Sequence, residues 1–305
     1  MKEPQDVPFE KEGKYLKSDN RSNISYFLEH NVLLRRFTLS VGVLANYNSA
    51  LNEGIHFYPG IDASYRIGDN FRLYGSWNRA LRMPTFTDLY YEGKTNKGNP
   101  DLKPEESEAF EVGLKYNTYF LRAHIAGFYR KGKNMIDWVK EKPEDIWESQ
   151  NLTKVDNLGF ETNLSLLPRE LGNERFFIRK IELGYAFIHQ DKDSEGYISN
   201  YALDYLKHKF TAQLSHSIWK GFSATWYVRW QDRAGSYTKY ENLKPAYEEP
   251  YAPYCLVDMK VNWEYQRLNL YAELNNLLNS TYYDLGNIPQ PGIWFKAGFR
   301  YSFKY

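Results

Sequence analysis

Hydrophobic and polar residues alternate along most of the chain, and this pattern predicts β-strands. Successive side chains of a strand point to opposite faces, so a period of two identifies a strand with one apolar side. The alternation is clearest at the carboxyl end. One face there carries Ile293, Phe295, Ala297, Phe299, Tyr301, Phe303 and Tyr305. The same pattern recurs in residues 222–231, 255–264 and 268–275.

About thirteen strands are predicted in total, many of them near the roughly 9 to 11 residues that a tilted strand needs to cross a bilayer. Several are longer, as expected of strands that project beyond a membrane. No sustained period of 3.6 predicts a helix, and no apolar run approaches the roughly 18 residues of a membrane helix. The other nine candidates lie near residues 21–31, 33–48, 56–66, 69–79, 107–117, 119–139, 148–167, 174–190 and 202–216.

The connections between these strands alternate between two kinds. The short ones are 30–31, 67–69, 117–118, 168–173, 217–221 and 265–266. The long ones are 49–55, 80–106, 140–147, 191–201, 236–251 and 277–291. This alternation predicts an all-β, up-and-down antiparallel sheet with one trimmed and one elaborated end, which is typical of transmembrane β-barrels with short periplasmic turns and long extracellular loops. A soluble β-sandwich or propeller is the alternative, although no repeat of about 40 residues indicates a propeller.

Composition agrees with many half-apolar strands. Aromatic residues make up 17% of the 305 positions, although the mean hydropathy is negative. The formal net charge of +1 gives no argument for nucleic-acid binding. The single cysteine, Cys255, cannot form an internal disulfide and is interpreted as a small apolar strand residue.

Candidate catalytic and metal chemistry is sparse. The six histidines form no close pair, and no phosphate loop or nucleophile elbow is present. Ser215 and His216 are neighbours in one strand, so they face opposite ways and cannot act as a nucleophile and its base. Asp191, Asp193 and Glu195 could bind calcium, but they fall short of the calcium-loop spacing and are interpreted as solvated. We therefore predict no enzyme activity, metal or cofactor.

Residues 76–117, SWNRALRMPTFTDLYYEGKTNKGNPDLKPEESEAFEVGLKYN, hold the most specific motif. Its ordered positions are Arg82, Pro84, Thr85, Leu89, Tyr90, Gly98, Asn99, Pro100, Leu102, Pro104, Glu105, Glu111 and Gly113. This run resembles the TonB-dependent outer-membrane receptor family. LYAELNNLLNSTYYD (270–284) and KAGFRYSFKY (296–305) resemble the penultimate and terminal strands of that family. The resemblance covers the whole chain in order.

The resemblance implies a barrel of about 22 strands, plugged by an amino-terminal domain. Residues 1–305 are accordingly interpreted as the C-terminal part of such a barrel. The signal peptide is expected to be absent, because MKEPQDVPFEKEGKYLKSDN has no apolar core or cleavage site. The plug domain and the TonB box are expected to be absent as well, because about thirteen strands are fewer than the 22 that the resemblance implies. An odd strand number cannot close an ordinary barrel, which suggests a truncated gene, a start-codon artefact or half of a split receptor.

The implied function is active uptake of a scarce, bulky ligand across the outer membrane of a Gram-negative bacterium. The run FYRKGKNMIDWV (128–139) resembles the cobalamin-type branch and favours vitamin B12. The alternatives are a ferric-siderophore receptor, a non-transporting barrel that acts as an adhesin or assembly partner, and a soluble all-β binding module. The implied partners are outer-membrane lipid, the TonB complex acting through the plug, and the barrel-assembly machinery.

Two groups of residues follow from the motif and the loops. The motif positions are interpreted as a scaffold, because their prolines fix backbone angles and remove hydrogen-bond donors. Loop tyrosines are the candidates for ligand contact, since aromatic faces can hold bulky chelates or corrins, with packing or a membrane belt as the alternative. They are Tyr90, Tyr91, Tyr237, Tyr240, Tyr247 and Tyr251.

The carboxyl-terminal strand has a second predicted role. By resemblance, Gly298, Tyr301, Phe303 and Tyr305 match the assembly signal that the insertion machinery recognises. An exposed strand edge is a natural site for strand addition. An ordinary closing strand is the alternative interpretation, and the two are compatible.

Overall fold

The computed structural model describes residues 20–49, 54–142, 144–172, 175–193, 196–199, 205–241, 244–286 and 288–303. Within these ranges the chain is almost entirely β-structure. The strands are β1 (Asn23–Leu33), β2 (Phe37–Asn48), β3 (Ile55–Ile67), β4 (Phe71–Arg82), β5 (Asn96–Lys97), β6 (Glu105–Asn117), β7 (Leu121–Lys140), β8 (Trp147–Leu166), β9 (Ile178–Asp193), β10 (Ile198–Ser199), β11 (Leu206–Trp219), β12 (Phe222–Arg233), β13 (Ser236–Glu241), β14 (Lys244–Pro250), β15 (Tyr254–Tyr265), β16 (Leu268–Asn275), β17 (Tyr283–Leu285), β18 (Ile288–Pro289) and β19 (Trp294–Tyr301). Helix α1 spans Phe86–Tyr90, and a 3-10 helix spans Pro168–Leu171.

The main sheet follows the order of the chain. Its path is β1-β2-β3-β4-β6-β7-β8-β9-β11-β12-β15-β16-β19, and neighbouring strands on it pair antiparallel. This confirms the predicted up-and-down architecture of thirteen principal strands. The sheet is open, with β1 and β19 at its edges, and β5 and β10 add short pairings to β8 and β7. The hairpins β13–β14 and β17–β18 form separate two-stranded sheets.

The register places apolar side chains on one face from strand to strand. For example, Leu214, Trp226, Met259, Leu274 and Phe295 lie directly opposite one another across five consecutive strands. Many large apolar side chains of this face are exposed, and no second sheet covers it within the described ranges. The described part of the chain therefore has no dry centre between two layers, unlike a β-sandwich. We call this side the apolar face and the other side the polar face.

The apolar face ends in a row of charges towards the long loops. Arg79, Glu108, Lys131 and Asp156 lie directly opposite one another on β4, β6, β7 and β8, and we call them the charged row. The adjacent row on the same face is Trp77, Phe110, Tyr129 and Leu158. The side chains on this face therefore change from apolar to charged between positions two residues apart along each strand.

Buried apolar side chains are few and lie at the long-loop end. One cluster joins Leu89, Leu102 and Ile136, and another joins Val139 and Leu152. The first cluster includes a residue of β7, and the second joins β7 to β8. Both strands have 20 residues and extend well past the charged row. None of the helices in the described ranges has the length and apolarity needed to span a bilayer.

One predicted turn is wrong. His30 and Asn31 lie inside β1, opposite Val41 and Ser40, and the chain reverses only after Leu33. The apolar alternation of β1 continues through these residues, so pairing with β2 outweighs the turn preference of a His-Asn pair. The other short connections are found within a few residues of their predicted positions, and β11 continues to Trp219 before its turn.

Candidate functional site

The motif loop between β4 and β6 is closed by one ion pair. Arg82 ends β4, Glu105 begins β6, and the two residues lie directly opposite each other. Arg82 Nε donates to Glu105 Oε2 at 2.5 Å and Nη2 donates to Oε1 at 2.6 Å. Glu105 Oε1 also accepts the backbone N–H of Ile136 at 2.7 Å. The two-point geometry of this carboxylate therefore ties three strands together.

Helix α1 begins with a capping box. Thr85 Oγ1 accepts the N–H of Asp88 at 3.1 Å, and Asp88 Oδ2 accepts the N–H of Thr85 at 3.0 Å. Both exchanges satisfy donors that a helix amino terminus otherwise leaves unpaired. Pro84 precedes the cap, is buried, and accepts a hydrogen bond from Arg21 Nη1 at 2.8 Å. The first half of the motif therefore fixes the entry into a single helical turn.

Gly98 lies against the backbone of that helix. A Cβ atom at this position would lie 2.8 Å from Leu89 C, Tyr90 N and Tyr91 N, a distance that backbone atoms cannot accommodate. The Gly98 N–H donates to Tyr91 O at 2.6 Å. Glycine is thus required for close packing of the two halves of the loop.

The second half of the motif turns and packs. Asn99 Oδ1 accepts the N–H of Asp101 at 2.9 Å across Pro100, which closes a local turn. Leu102 packs with Leu89 and Ile136 in the buried cluster. Pro104 directly precedes β6. These contacts are those of a braced loop.

The projecting part of β8 holds this loop in place. Asn151 Oδ1 accepts the N–H of Lys103 at 2.8 Å, and its Nδ2 donates to Lys103 O at 2.9 Å and to Asn134 O at 2.7 Å. The Trp147 N–H donates to Thr95 O at 2.9 Å. Asn151 was not singled out from the sequence, because an asparagine inside a long strand gives no sign that it serves a distant loop.

Two of the six candidate tyrosines pack within this loop. Tyr90 packs against the cluster of Leu89, Leu102 and Ile136. Tyr91 contacts Trp138 edge to face, with ring centroids 6.1 Å apart. Both side chains are half-buried.

Two further candidates, Tyr237 and Tyr251, are only 6% and 8% exposed. The Tyr237 ring lies 5.2 Å from that of Tyr251 and 5.1 Å from that of Tyr283 between centroids. Tyr251 Oη also accepts the N–H of Gly286 at 3.0 Å. This aromatic cluster joins the β13–β14 hairpin to the loop that carries β17 and β18. Tyr283 was missed from the sequence because its partners lie more than thirty residues away.

A charged contact braces the same hairpin. Lys239 Nζ lies 2.8 Å from Glu249 Oε2, and Tyr237 Oη donates to the same oxygen at 3.2 Å. The hydrogen bond from Lys239 lowers the pKa of the Glu249 carboxyl, and the same contact raises the pKa of Lys239. Burial, followed by the bond to Glu249, raises the pKa of the Tyr237 phenol.

The last two candidates are open to solvent. Tyr240 and Tyr247 are 53% and 52% exposed, and both lie on the β13–β14 hairpin. The structure thus separates the six predicted tyrosines into four packing residues and two exposed ones, at the end of the sheet where the long loops lie.

The predicted assembly signal lies on an edge strand. The ring of Tyr271, directly opposite Gly298, occupies the space where a Cβ would lie, with its Oη 2.5 Å from that position. Tyr301 and Phe303 are exposed, with ring centroids 4.9 Å apart. Tyr305 lies outside the described residues. Packing against Tyr271 accounts for the glycine without reference to recognition.

The remaining sequence candidates are accounted for as follows. Ser215 Oγ lies 3.1 Å from Thr225 Oγ1, whereas His216 Nε2 accepts from Trp226 Nε1 at 3.1 Å. Thr225 is on the polar face and Trp226 on the apolar face, which confirms that Ser215 and His216 point opposite ways. Cys255 lies opposite Trp230 on the apolar face.

The calcium candidates Asp191, Asp193 and Glu195 are not brought together by any described contact. Glu195 and the side chain of Asp193 lie outside the described part of the chain. Among the described residues, no group of three His, Cys, Asp or Glu side chains could hold a metal ion.

Comparisons with known proteins agree on one family. The family model described as "TonB dependent receptor-like, beta-barrel" matches residues 4–277. The vitamin B12 transporter BtuB of Vibrio vulnificus (strain YJ016) is 26% identical over 225 residues, covering 55% of this chain and 36% of that protein. The ferrienterobactin receptor of Escherichia coli (strain K12) is 22% identical over 297 residues, covering 88% of this chain and 38% of that protein.

Solved structures show the same fold. The ferric enterobactin receptor PfeA of Pseudomonas aeruginosa aligns with a TM-score of 0.72 at 20% identity, covering 93% of this chain and 46% of that one. The copper transporter OprC aligns with a TM-score of 0.72 at 16% identity, covering 93% and 48%. The chain therefore spans less than half the length of these relatives.

Proposed function

Because the chain belongs to the TonB-dependent receptor β-barrel family, we propose that it forms part of a receptor for the uptake of a scarce, bulky ligand. Members of this family lie in the outer membrane of Gram-negative bacteria, and so does this protein. The apolar face accordingly contacts lipid, and the polar face lines the interior of the barrel. The short turns then lie on the periplasmic side and the long loops outside the cell.

The observation that carries the proposal is the exposed aromatic pair on a braced hairpin. Tyr240 and Tyr247 project from β13–β14 at the extracellular end. The buried cluster of Tyr237, Tyr251 and Tyr283 fixes the hairpin against a second loop. Rigid aromatic side chains supply a large contact area at low cost in conformational entropy, which suits a bulky ligand without a fixed hydrogen-bond pattern.

We infer that the ligand is a cobalamin, with a ferric siderophore as the second candidate. The resemblance of residues 128–139 to the cobalamin branch supports the first, as does the likeness to a vitamin B12 transporter. The likeness to a ferrienterobactin receptor supports the second. The named relatives are transporters and receptors, which agrees with the expectation that this chain is not an enzyme.

Two partners are part of the same proposal. Release of ligand into the periplasm would draw on the TonB complex, acting through the plug domain that the family resemblance implies. Insertion would use the barrel-assembly machinery, for which the exposed Tyr301, at the end of edge strand β19, and Phe303 just after it offer a contact.

The test is ligand binding to outer membranes that contain the full chain, with radiolabelled cyanocobalamin and ferric enterobactin as separate probes. The double variant Tyr240→Ala/Tyr247→Ala should bind the preferred ligand about tenfold more weakly, if each ring contributes roughly 0.5–1 kcal/mol. Tyr119→Ala is the control, because Tyr119 is exposed in a turn at the opposite end of the sheet. Equal affinity of the parent chain, the double variant and Tyr119→Ala would rule out capture by these tyrosines. If neither probe binds the parent chain, an adhesin or assembly role is favoured.

A further inference from the structure

Two arginines converge on one hydroxyl group at the short-turn end of the sheet. Arg169, in the turn between β8 and β9, donates from Nη2 to Ser217 Oγ at 2.7 Å. Arg179, near the start of β9, donates from Nε to the same oxygen at 2.9 Å. The two donor nitrogens are therefore less than about 6 Å apart. We call Arg169, Arg179 and Ser217 the arginine–serine cluster.

The backbone holds both guanidinium groups at this position. Arg169 Nε donates to Phe176 O at 2.9 Å, which ties the Arg169 side chain to its own turn. The pairing of β9 with β11 skips Arg179, so this residue is the extra one of a β-bulge. A bulge interrupts the alternation of side chains and redirects one of them. Here it allows the Arg179 side chain to reach Ser217, near the end of β11.

Neither guanidinium group has an acidic partner in the described part of the chain. The ion pairs found there include neither Arg169 nor Arg179. Glu182, the first carboxylate of β9, lies 2.8 Å from Lys180 Nζ instead. Two positive charges therefore meet only a neutral hydroxyl at close range. Their mutual repulsion destabilises the cluster unless an anion joins it.

The cluster keeps most of its hydrogen-bond donors for a ligand. A guanidinium group carries five N–H donors, of which the bonds above use two in Arg169 and one in Arg179. Because Ser217 Oγ accepts both bonds, its own O–H is left to donate. Planar guanidinium groups match the oxygens of a phosphate, each with two parallel bonds. The donors of the cluster therefore suit a phosphate group that bridges the two arginines.

Exposed apolar side chains flank the cluster. Leu171 and Phe177 lie in the β8–β9 turn, and Ile218 and Trp219 lie at the end of β11. Lys220 Nζ lies 6.0 Å from the centre of the Trp219 ring. Aromatic and basic side chains together at the end of an apolar face are typical of the headgroup level of a membrane. A free anion would leave these apolar side chains exposed, whereas a lipid would cover them as well as the charges.

We propose that the arginine–serine cluster binds the phosphate of an anionic phospholipid in the periplasmic leaflet of the outer membrane. The phosphate would bridge the two guanidinium groups through charge-assisted hydrogen bonds, and the acyl chains would lie along the adjoining apolar face. A zwitterionic headgroup would bring a further cation to the site, so a headgroup without one fits better. The inference uses the membrane placement proposed above but not the identity of the transported ligand.

Binding of defined lipids tests the proposal. The full chain, extracted from outer membranes in mild detergent, is titrated with phosphatidylglycerol and with phosphatidylcholine of the same acyl chains, and bound lipid is measured by native mass spectrometry. We expect phosphatidylglycerol to bind at least about tenfold more tightly, and added salt to weaken its binding. Equal affinities for the two lipids would overturn the proposal. Displacement of phosphatidylglycerol by an equal concentration of inorganic phosphate would show a small-anion site and overturn the lipid assignment.

Matched variants locate the site. Arg169→Gln/Arg179→Gln should weaken phosphatidylglycerol binding about tenfold. Ser217→Ala keeps both charges but removes the oxygen that positions them, and it should weaken binding about threefold. Arg35→Gln/Arg36→Gln is the control, because it removes the same charge from exposed residues in the β1–β2 turn at the same end. It should leave the affinity within about twofold, and a loss as large as in the first variant would show non-specific attraction and overturn the assignment.

Stability gives an independent readout. Phosphatidylglycerol should raise the unfolding temperature of the parent chain, because it binds the folded state, and this rise should be absent in Arg169→Gln/Arg179→Gln. Heat-modifiable migration on gels shows that each variant is folded. The same rise in the parent chain and the variant would contradict the proposal. Capture of cobalamin or siderophore at the long-loop end should be unchanged in this variant, so this inference and the proposed function can fail separately.

Discussion

Arg82 and Glu105 lie directly opposite each other at the outer ends of β4 and β6, and two parallel hydrogen bonds of 2.5 and 2.6 Å join them. The pair closes the motif loop at its base. Glu105 also accepts the N–H of Ile136 from β7, so one buried carboxylate fixes both the loop and the strand on which the loop packs.

Replacing Glu105 with alanine should loosen the motif loop. The substitution removes both bonds to Arg82 and leaves the buried Ile136 N–H without an acceptor, at a cost of about 2 kcal/mol. Faster protease cleavage within residues 83–104 would report the change. Glu106→Ala is the control, since Glu106 is 49% exposed and reaches Arg79 only at 3.9 Å, so its loss should cost less than about 1 kcal/mol. Equal cleavage of the two variants would contradict a special role for Glu105.

Gly98→Ala should displace the loop from helix α1. The new Cβ would lie 2.8 Å from three backbone atoms of residues 89–91, and relief of such overlap costs about 1–3 kcal/mol. Hydrogen exchange of the Gly98 and Asn99 amides, which bond to Tyr91 O and Asp88 O, should accelerate. Gly93→Ala is the matched control, because the atoms nearest to its Cβ would belong to the movable ring of Tyr91. Similar exchange in both variants would show that the close approach does not matter.

The β13–β14 hairpin should be held most firmly between about pH 5 and pH 10. The pKa of Glu249 is lowered by Lys239, so its stabilising contribution is present above its unfolded pKa and is lost as pH falls through the folded one. The pKa values of Lys239 and Tyr237 are raised in the folded protein. Their stabilising contributions are therefore present below the pKa values of the unfolded chain, and they are lost as the pH rises through the pKa values of the folded protein.

Proteolysis of the hairpin as a function of pH tests this window. Glu249→Gln should weaken the acid-side dependence, because the carboxyl that Lys239 and Tyr237 contact no longer titrates, and it should weaken the alkaline dependence as well. Glu248→Gln serves as the control, since Glu248 lies next in sequence and bonds to Ser236 and Thr238 instead. A parent chain whose cleavage rate does not vary with pH would refute the prediction.

The two faces of the sheet should respond oppositely to a new arginine. Val112 lies between Gly75 and Gly127 on the apolar face, so Val112→Arg should cost about 2–4 kcal/mol in a lipid bilayer. Ser76 lies between Asp62 and Glu111 on the polar face, so Ser76→Arg should be close to neutral. Urea unfolding from lipid vesicles measures the loss of unfolding free energy in each variant. Equal losses would show that the apolar face does not contact lipid.

Much of the sheet could be predicted from the sequence because side-chain alternation records which face of each strand is apolar. The strands that carry Leu214, Trp226 and Leu274 each alternate apolar and polar residues without interruption. Pairing these strands in chain order places their apolar positions opposite one another. The lengths of β7 and β8 could also be predicted, since both strand-like stretches run beyond the length that a bilayer requires.

The loops could not be predicted to the same depth, because their contacts join distant parts of the chain. The capping box of Thr85 and Asp88 is a local signal for α1 and was available in the sequence. In contrast, the bonds from Asn151 to Lys103 and the packing of Tyr237 on Tyr283 depend on how separate loops meet. The turn placed at His30 and Asn31 was wrong for a related reason, since local preference was outweighed by pairing along β2.

The charged row marks the level at which the apolar face ends and the projecting parts of the long strands begin. Beyond Lys131, β7 continues to Lys140, and at about 3.4 Å per residue with a tilt of about 40° this segment rises roughly 25 Å. β8 runs beside it and carries the motif loop. The projecting parts of β7 and β8 therefore hold the motif loop beyond the charged row, so a macromolecule that approaches from this end meets the loop before it reaches the apolar face.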